Sequence, residues 1–434
     1  MAAPHLVLTK PPRREDLLRR LEAANRWCLP ITLIQVAAIA LLGYLINWQQ
    51  AVAEPLVTTV AIGAIVGPFS MRLLRFWITK KKRIDDLQEQ TRFGEFDKHR
   101  LRNLFQDTLQ RLGLPDDRLP VFIVADKSTN AMMMHVGMGS FLRSMNGIYL
   151  HRQVLHKLNA AEVQDIMGHE LGHYYKHYIL ADRYRWLTLI LGATAGLYIA
   201  QALGAEGALT IVALITFSQG LGWLAAIPHA LHAMAIEYLC DDLGAQVHGV
   251  ATSVSGLMKL GAEAEVLTAV QQQAVFSATR GNLNAREIVE AIEAAIPYGH
   301  ASTEELLAAV EKQLKRKSQA GASLGGFLHY MWNSDLDAEA TEELEKETRK
   351  LKALQLIPRL DWESLLDDPQ RLQFSDASLA KLVALIESQP AGELFHTPEA
   401  LGETDGMHPP LKQRILYLWY NRLEIERARL SSKL

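Results

Sequence analysis

The chain has 434 residues, enough for two or three domains, with 49% hydrophobic residues and a formal net charge of -3. That charge excludes the overall basic bias of a nucleic-acid-binding protein, and two cysteines, Cys28 and Cys240, exclude a disulfide framework. The hydrophobic content is high for a purely soluble protein and is concentrated in four segments.

In chain order, residues 1–26 are expected to hold no cleavable signal peptide, because they lack an apolar core and end in charged residues. Pro30 to Trp48 is nearly free of charge and about as long as a spanning helix of roughly 20 residues. Pro55 to Met71 is a second such run, and the short Gln49 to Glu54 connection predicts a tight hairpin. Arg13, Arg14, Arg19, Arg20 and Arg26 precede this pair, and Arg72, Arg75, Lys80, Lys81, Lys82 and Arg83 follow it. Ile84 to Leu119 is helical in pattern. Two strands are expected, at Pro120-Val-Phe-Ile-Val and at Gly147-Ile-Tyr-Leu-His, the second following a Gly- and Met-rich stretch. Leu187 to Leu203 and Ala208 to Ile227 form a second apolar pair joined by Gly204 to Gly207. Its polar Gln201, Thr216, Ser218 and Gln219 leave both a spanning and a re-entrant reading open. Neither connection carries Lys or Arg, so the positive flanks predict both termini and the chain between the hairpins on the cytoplasmic side. Beyond Ala245 the pattern is mostly helical, with a capping box at Ser302 and Glu305, a Gly/Ser/Ala linker at Ser318 to Gly326, a solvated charged face at Asp337 to Lys352 and a helix over Pro410 to Arg429. The predicted fold is mainly α with a small β-sheet in a multi-pass membrane protein.

The chemistry concentrates after Asn159-Ala-Ala-Glu162, a helix start with Asn159 as N-cap and Glu162 reaching back. Val163, Ile166, Met167 and Leu171 share one broad face of that helix. His169 and His173 are four residues apart, so both imidazoles leave the same side and can meet one metal ion. Glu170, one position on, can act as general base on a metal-activated water without being a ligand. Asp165, Lys176 and His177 flank the motif and place the helix outside the membrane. A catalytic zinc needs a third protein ligand and one open position. Glu237 in Glu237-Tyr-Leu-Cys-Asp241 is the best candidate. Asp241, one turn on, can accept the second ring N–H of a ligating histidine and fix its tautomer. His177 is expected on the surface, and His229 and His232 near the membrane boundary.

These residues resemble the membrane-bound zinc endopeptidases that include bacterial HtpX and the CAAX prenyl endopeptidases. The resemblance rests on His169-Glu-Leu-Gly-His173, on Glu237-Tyr-x-x-Asp241, on the Asn130-Ala131 pair and on His408-Pro-Pro-Leu-Lys-Gln-Arg414. It implies a gluzincin-type domain holding one zinc ion per chain through His169, His173 and Glu237, with Glu170 as general base. It implies that Asn130 and Ala131 lie on or near an edge strand that pairs with substrate backbone. It brings His408 and Arg414 towards the site, where cationic or N–H donors can stabilise an oxyanion. The chain departs from the family at Ala233-Met234, where a Ser-Arg pair is usual, at Cys240, where Ala is common, and at Gln153, near a usual Gly.

The expected organisation is an N-terminal arm and hairpin (1–83), a first catalytic part (84–186), a second hairpin (187–228), a second, helical catalytic part (229–317) and a C-terminal helical region with the His-Pro motif (318–434). The expected function is zinc-dependent cleavage of membrane or misfolded proteins at the cytoplasmic face of a bacterial inner membrane, with peptide substrates and the bilayer as partners and no nucleic acid. CAAX-type processing of prenylated proteins and a non-catalytic zinc-binding scaffold or chaperone are the alternatives. Oligomeric state has no signature in the sequence.

Overall fold

A computed structural model describes residues 10–115, 119–125, 131–134, 145–281, 308–309, 312, 349–350, 353–354, 356–402 and 408–431. The expectations at Asn130, Ser302, Glu305 and Ser318 to Gly326, and most of Asp337 to Lys352, lie outside these residues.

All four apolar segments are helices. α1 (Arg14–Arg26) runs through Trp27 into α2 (Cys28–Leu45), and α3 (Trp48–Ala53) leads to α4 (Pro55–Ile78). The first connection is therefore a helical turn rather than a bare hairpin. Asn47 caps it, its side chain accepting from the Gln50 N–H. The second pair is α9 (Arg185–Ala202) and α10 (Ala208–His248). By length and apolarity, the α1–α2 run and α10 can each cross a membrane, whereas Pro55–Gly67 is a shorter apolar stretch.

α9 packs against α2, α4 and α10. A Cβ on Gly192 would come within 2.6 Å of the Ser218 Cα, and one on Gly196 within 2.8 Å of the Ala213 oxygen, so this small-xxx-small pair is what lets α9 lie directly on α10. Of the polar residues of the second pair, Gln201 has partners at the far end. The Gln201 amide donates to the Asn47 oxygen and accepts from the Asn47 N–H, both at 2.9 Å, and Glu54 accepts from the Gly207 N–H at 3.0 Å. These contacts tie the two connections together. The outward faces stay apolar: Leu33, Ile34 and Leu41 on α2 and Val212, Trp223 and Leu224 on α10 are all exposed.

Beyond the bundle, a four-stranded sheet runs β1 (Lys81–Arg83), β2 (Val121–Val124), β4 (Gly147–His151), β3 (Ala131–Met134). β2 and β4 are parallel, and the two edge strands are antiparallel to their neighbours. Parallel strands covered on both faces read as unbroken apolar runs, as both do here. Val121, Ile123, Ile148 and Leu150 face a core shared with α5 (Lys98–Arg111), α6 (Arg152–Lys157) and α7 (Ala160–Leu171). Phe122 and Tyr149 stack on the other face, with Phe76 of α4 edge-on to Phe122. β1 is a strand that the sequence concealed inside its basic run.

α10 crosses Pro228 without ending, so the helix that closes the bundle also carries Glu237 and Asp241. From Ile236 to Val247 every residue is buried. This half meets α1, α7, α11 (Val250–Gly281), α13 (Leu411–Tyr420) and α14 (Arg422–Ser431), with α12 (Asp376–Ser388) packed on α11 and α13. The single helix expected over Pro410 to Arg429 breaks at Asn421, whose side chain accepts from the Arg14 N–H and donates to the Pro12 oxygen. The N-terminal arm is thus a docked helix, with Leu17 and Leu21 in the core.

Candidate metal centre

α7 starts as its sequence dictates. The Asn159 side chain accepts from the Glu162 N–H at 3.0 Å and Glu162 accepts from the Asn159 N–H at 2.9 Å, while Lys259 holds the same carboxylate. Val163, Met167 and Leu171 are fully buried and fix the roll of the helix. At Gly172 it widens into a π-turn, Gly172–Lys176, that carries His173.

A Cβ on Gly172 would lie 2.9 Å from the Cys240 sulfur and 3.2 Å from its Cα. This near-contact sets the approach of α10 and hence the position of Glu237, one turn before Cys240. Gly172→Ala is expected to destabilise the protein by roughly 1–3 kcal/mol through overpacking and to weaken metal binding. Thermal unfolding should show Cys240→Ala restoring part of the loss; no change in melting temperature in Gly172→Ala would refute the close-packing argument.

His169, His173 and Glu237 converge. The two Nε2 atoms are 3.2 Å apart, His173 Nε2 is 3.3 Å from Glu237 Oε1, and His169 Nε2 is 3.5 Å from Glu237 Oε2. Ligands about 2.0–2.2 Å from a tetrahedral ion stand about 3.3–3.5 Å from one another, so the spacing fits zinc. Glu237 Oε2 is buried and has no hydrogen-bond partner among the described residues, a costly arrangement for a carboxylate oxygen and one that a cation resolves. Among the described residues this is the group of His, Cys, Asp and Glu side chains able to hold a metal.

Behind His169 lies Asp241, its Oδ1 2.9 Å from His169 Nδ1. The proton on Nδ1 leaves Nε2 as the lone pair facing the cluster. Arg414 engages Asp241 through two groups, Nε to Oδ2 at 2.7 Å and Nη2 to Oδ1 at 2.5 Å. Burial opposes ionisation of Asp241, yet Arg414 and His169 outweigh it and hold the carboxyl well below the usual range. Burial likewise opposes charge on His169, but Asp241 and Glu237 raise its pKa well above the ordinary value. His173 goes the other way, down to about 4, because it is buried and faces His169. His408 sits on the open side, half exposed, with Nε2 3.7 Å from Glu237 Oε2.

Glu170 is 6% exposed, on the turn of α7 between the two histidines. Ala131 begins edge strand β3, paired with Leu150. One expectation changes. His177 is buried rather than on the surface; it closes the π-turn, and burial beside Lys176 and Arg14 pushes its pKa down to about 3. Asp165 is also buried, accepting from the Ser253 hydroxyl at 2.6 Å, whereas Lys176 is exposed. The sequence also missed the adjoining Asp242, which pairs with Arg14 of α1 and accepts from Gln246. An Asp-Asp step in a buried helix hints at two partners, but nothing local names an arginine 228 residues away.

No curated protein and no solved structure matches the chain. The model of peptidase family M48 matches residues 95–419, a span that takes in both histidines, Glu170, Glu237, Asp241, His408 and Arg414. The chain belongs to peptidase family M48.

Proposed function

We propose that the chain is a membrane-embedded zinc endopeptidase that cleaves membrane or misfolded proteins at the cytoplasmic face. The observation that carries this reading is the trio of ligand atoms 3.2–3.5 Å apart around an orphaned carboxylate oxygen. His169, His173 and Glu237 would hold the ion. When bound, zinc acts as a Lewis acid towards a substrate carbonyl and makes a water more acidic.

The remaining work falls to the chain itself. Glu170 takes the proton of the attacking water on a carboxylate oxygen and passes it to the departing amine nitrogen. Asp241 keeps His169 in the tautomer that presents Nε2, and Arg414 keeps Asp241 ionised and oriented. Arg414 therefore acts through Asp241, while His408, beside Glu237 on the exposed side, donates to the developing oxyanion. The outer edge of β3, at Ala131 and next to Asn130, receives the substrate as an added strand.

The exposed apolar faces of α2 and α10, the two helices long and apolar enough to cross a membrane, support insertion in a bilayer; in this reading α4 and α9 complete four spans. The basic flanks support cytoplasmic termini, so a reporter fused after Arg83 should read cytoplasmic. Metal analysis and casein cleavage by detergent-purified protein test the activity. Zinc should co-purify, chelation should stop cleavage, and Glu237→Gln should lose both metal and activity. Cleavage that survives complete removal of metal would overturn the reading, and metal without cleavage would favour a scaffold.

A further inference from the structure

Where α4 leaves the bundle, Phe76, Trp77, Lys82, Arg83, Asp86 and Phe122 help to line a cavity of about 440 Å³. Its rim is basic. Lys80 and Lys82 are exposed, and Arg83 Nε is buried with no acceptor among the described residues. Arg83 also borders a second cavity that contains Arg102. Among the described residues lining the two cavities, only Asp85 and Asp86 offset this charge, and Asp85 lies 3.3 Å from Arg83 and 3.6 Å from Arg102. The lining Trp77 is apolar and exposed, and Leu74 and Ile78, exposed on the same face of α4, continue it as an apolar rim.

We propose that this cavity binds the headgroup of an anionic phospholipid, with the phosphate on Arg83 and Lys82 and the acyl chains along Leu74 and Trp77. The proposal rests on the membrane reading above. A free phosphate shares the headgroup chemistry, but only a lipid uses the apolar rim as well. An exposed cation near an anionic surface is worth roughly five-fold in binding, and tryptophan is favoured at this depth. The site would also set the height of the catalytic sheet. β1 is itself the Lys81–Arg83 strand, and Phe76 packs on Phe122 of β2, so a lipid held here fixes the sheet relative to the membrane.

The test uses the full chain in phosphatidylcholine vesicles containing brominated phosphatidylglycerol or brominated phosphatidylcholine at equal mole fraction. The Trp77 signal is taken as the difference between wild type and Trp77→Phe. Trp77 should be quenched at least two-fold more by the brominated phosphatidylglycerol, and Lys82→Gln/Arg83→Gln, with an unchanged near-ultraviolet circular dichroism spectrum, should abolish that preference. Equal quenching by both lipids, or a preference that survives the double substitution, overturns the proposal. Loss of the preference on adding millimolar inorganic phosphate at constant ionic strength also overturns it and assigns the cavity to soluble phosphate. No quenching by either lipid would instead strike the membrane reading itself.

Discussion

Glu170→Gln is expected to retain the wild-type zinc content and melting temperature while slowing casein cleavage by about 10²–10⁴-fold, the usual contribution of a positioned general base. The substitution keeps the shape of the side chain and removes only its capacity to accept a proton. Glu170 lies outside the cluster of His169, His173 and Glu237, so the metal set is untouched. Its backbone belongs to the last regular turn of α7, whose roll is fixed by Val163, Met167 and Leu171 in the core, so an amide at this position leaves the helix in place. Metal analysis, thermal unfolding and initial rates on one preparation check the three parts together. Wild-type rates in Glu170→Gln would remove Glu170 from the reaction. Loss of metal would make it structural instead.

Asp241→Asn should have the larger effect on the metal. Asp241 bridges His169 and Arg414, and it is almost fully buried. Asparagine can still meet His169 but cannot balance the guanidinium, whose side chain is only 18% exposed. Leaving one partner of a buried ion pair uncompensated costs about 3–5 kcal/mol, and losing the group that orients a ligating histidine weakens metal binding by about 10–100-fold. Arg414→Met should act in the same direction through Asp241. The two residues share one network, so Asp241→Asn/Arg414→Met should lose less stability than the sum of the single variants. Chelator competition gives the zinc affinity, and denaturant unfolding gives the coupling. Wild-type zinc affinity in Asp241→Asn would refute the tautomer argument.

Local pattern made part of the site legible. The Asn159–Glu162 capping box, the period of Val163, Met167 and Leu171, and the four-residue step from His169 to His173 are all local, and the structure reproduces them. Glu237 and Asp241 share a helix face for the same reason. The π-turn at Gly172 was not legible, because it arises where α7 presses on Cys240 and not from the propensity of Gly-His-Tyr-Tyr-Lys. β1 was hidden because Lys81, Lys82 and Arg83 form a strand only by pairing with β2. His177 looked like a surface residue because a polar side chain gives no local sign of what will cover it.

By itself, the sequence determined the apolar helices, the basic flanks, and two imidazoles one helical turn apart; each depends on residues close to one another along the chain. Tertiary structure alone decided that α10 delivers Glu237 to α7, that Arg414 of α13 clamps Asp241, and that α1 returns Arg14 to Asp242. Those contacts join residues 68 to 228 positions apart, and at the α7–α10 crossing the packing of Gly172 on Cys240 sets the approach. Periodicity carries no record of such distances; only the packed core does.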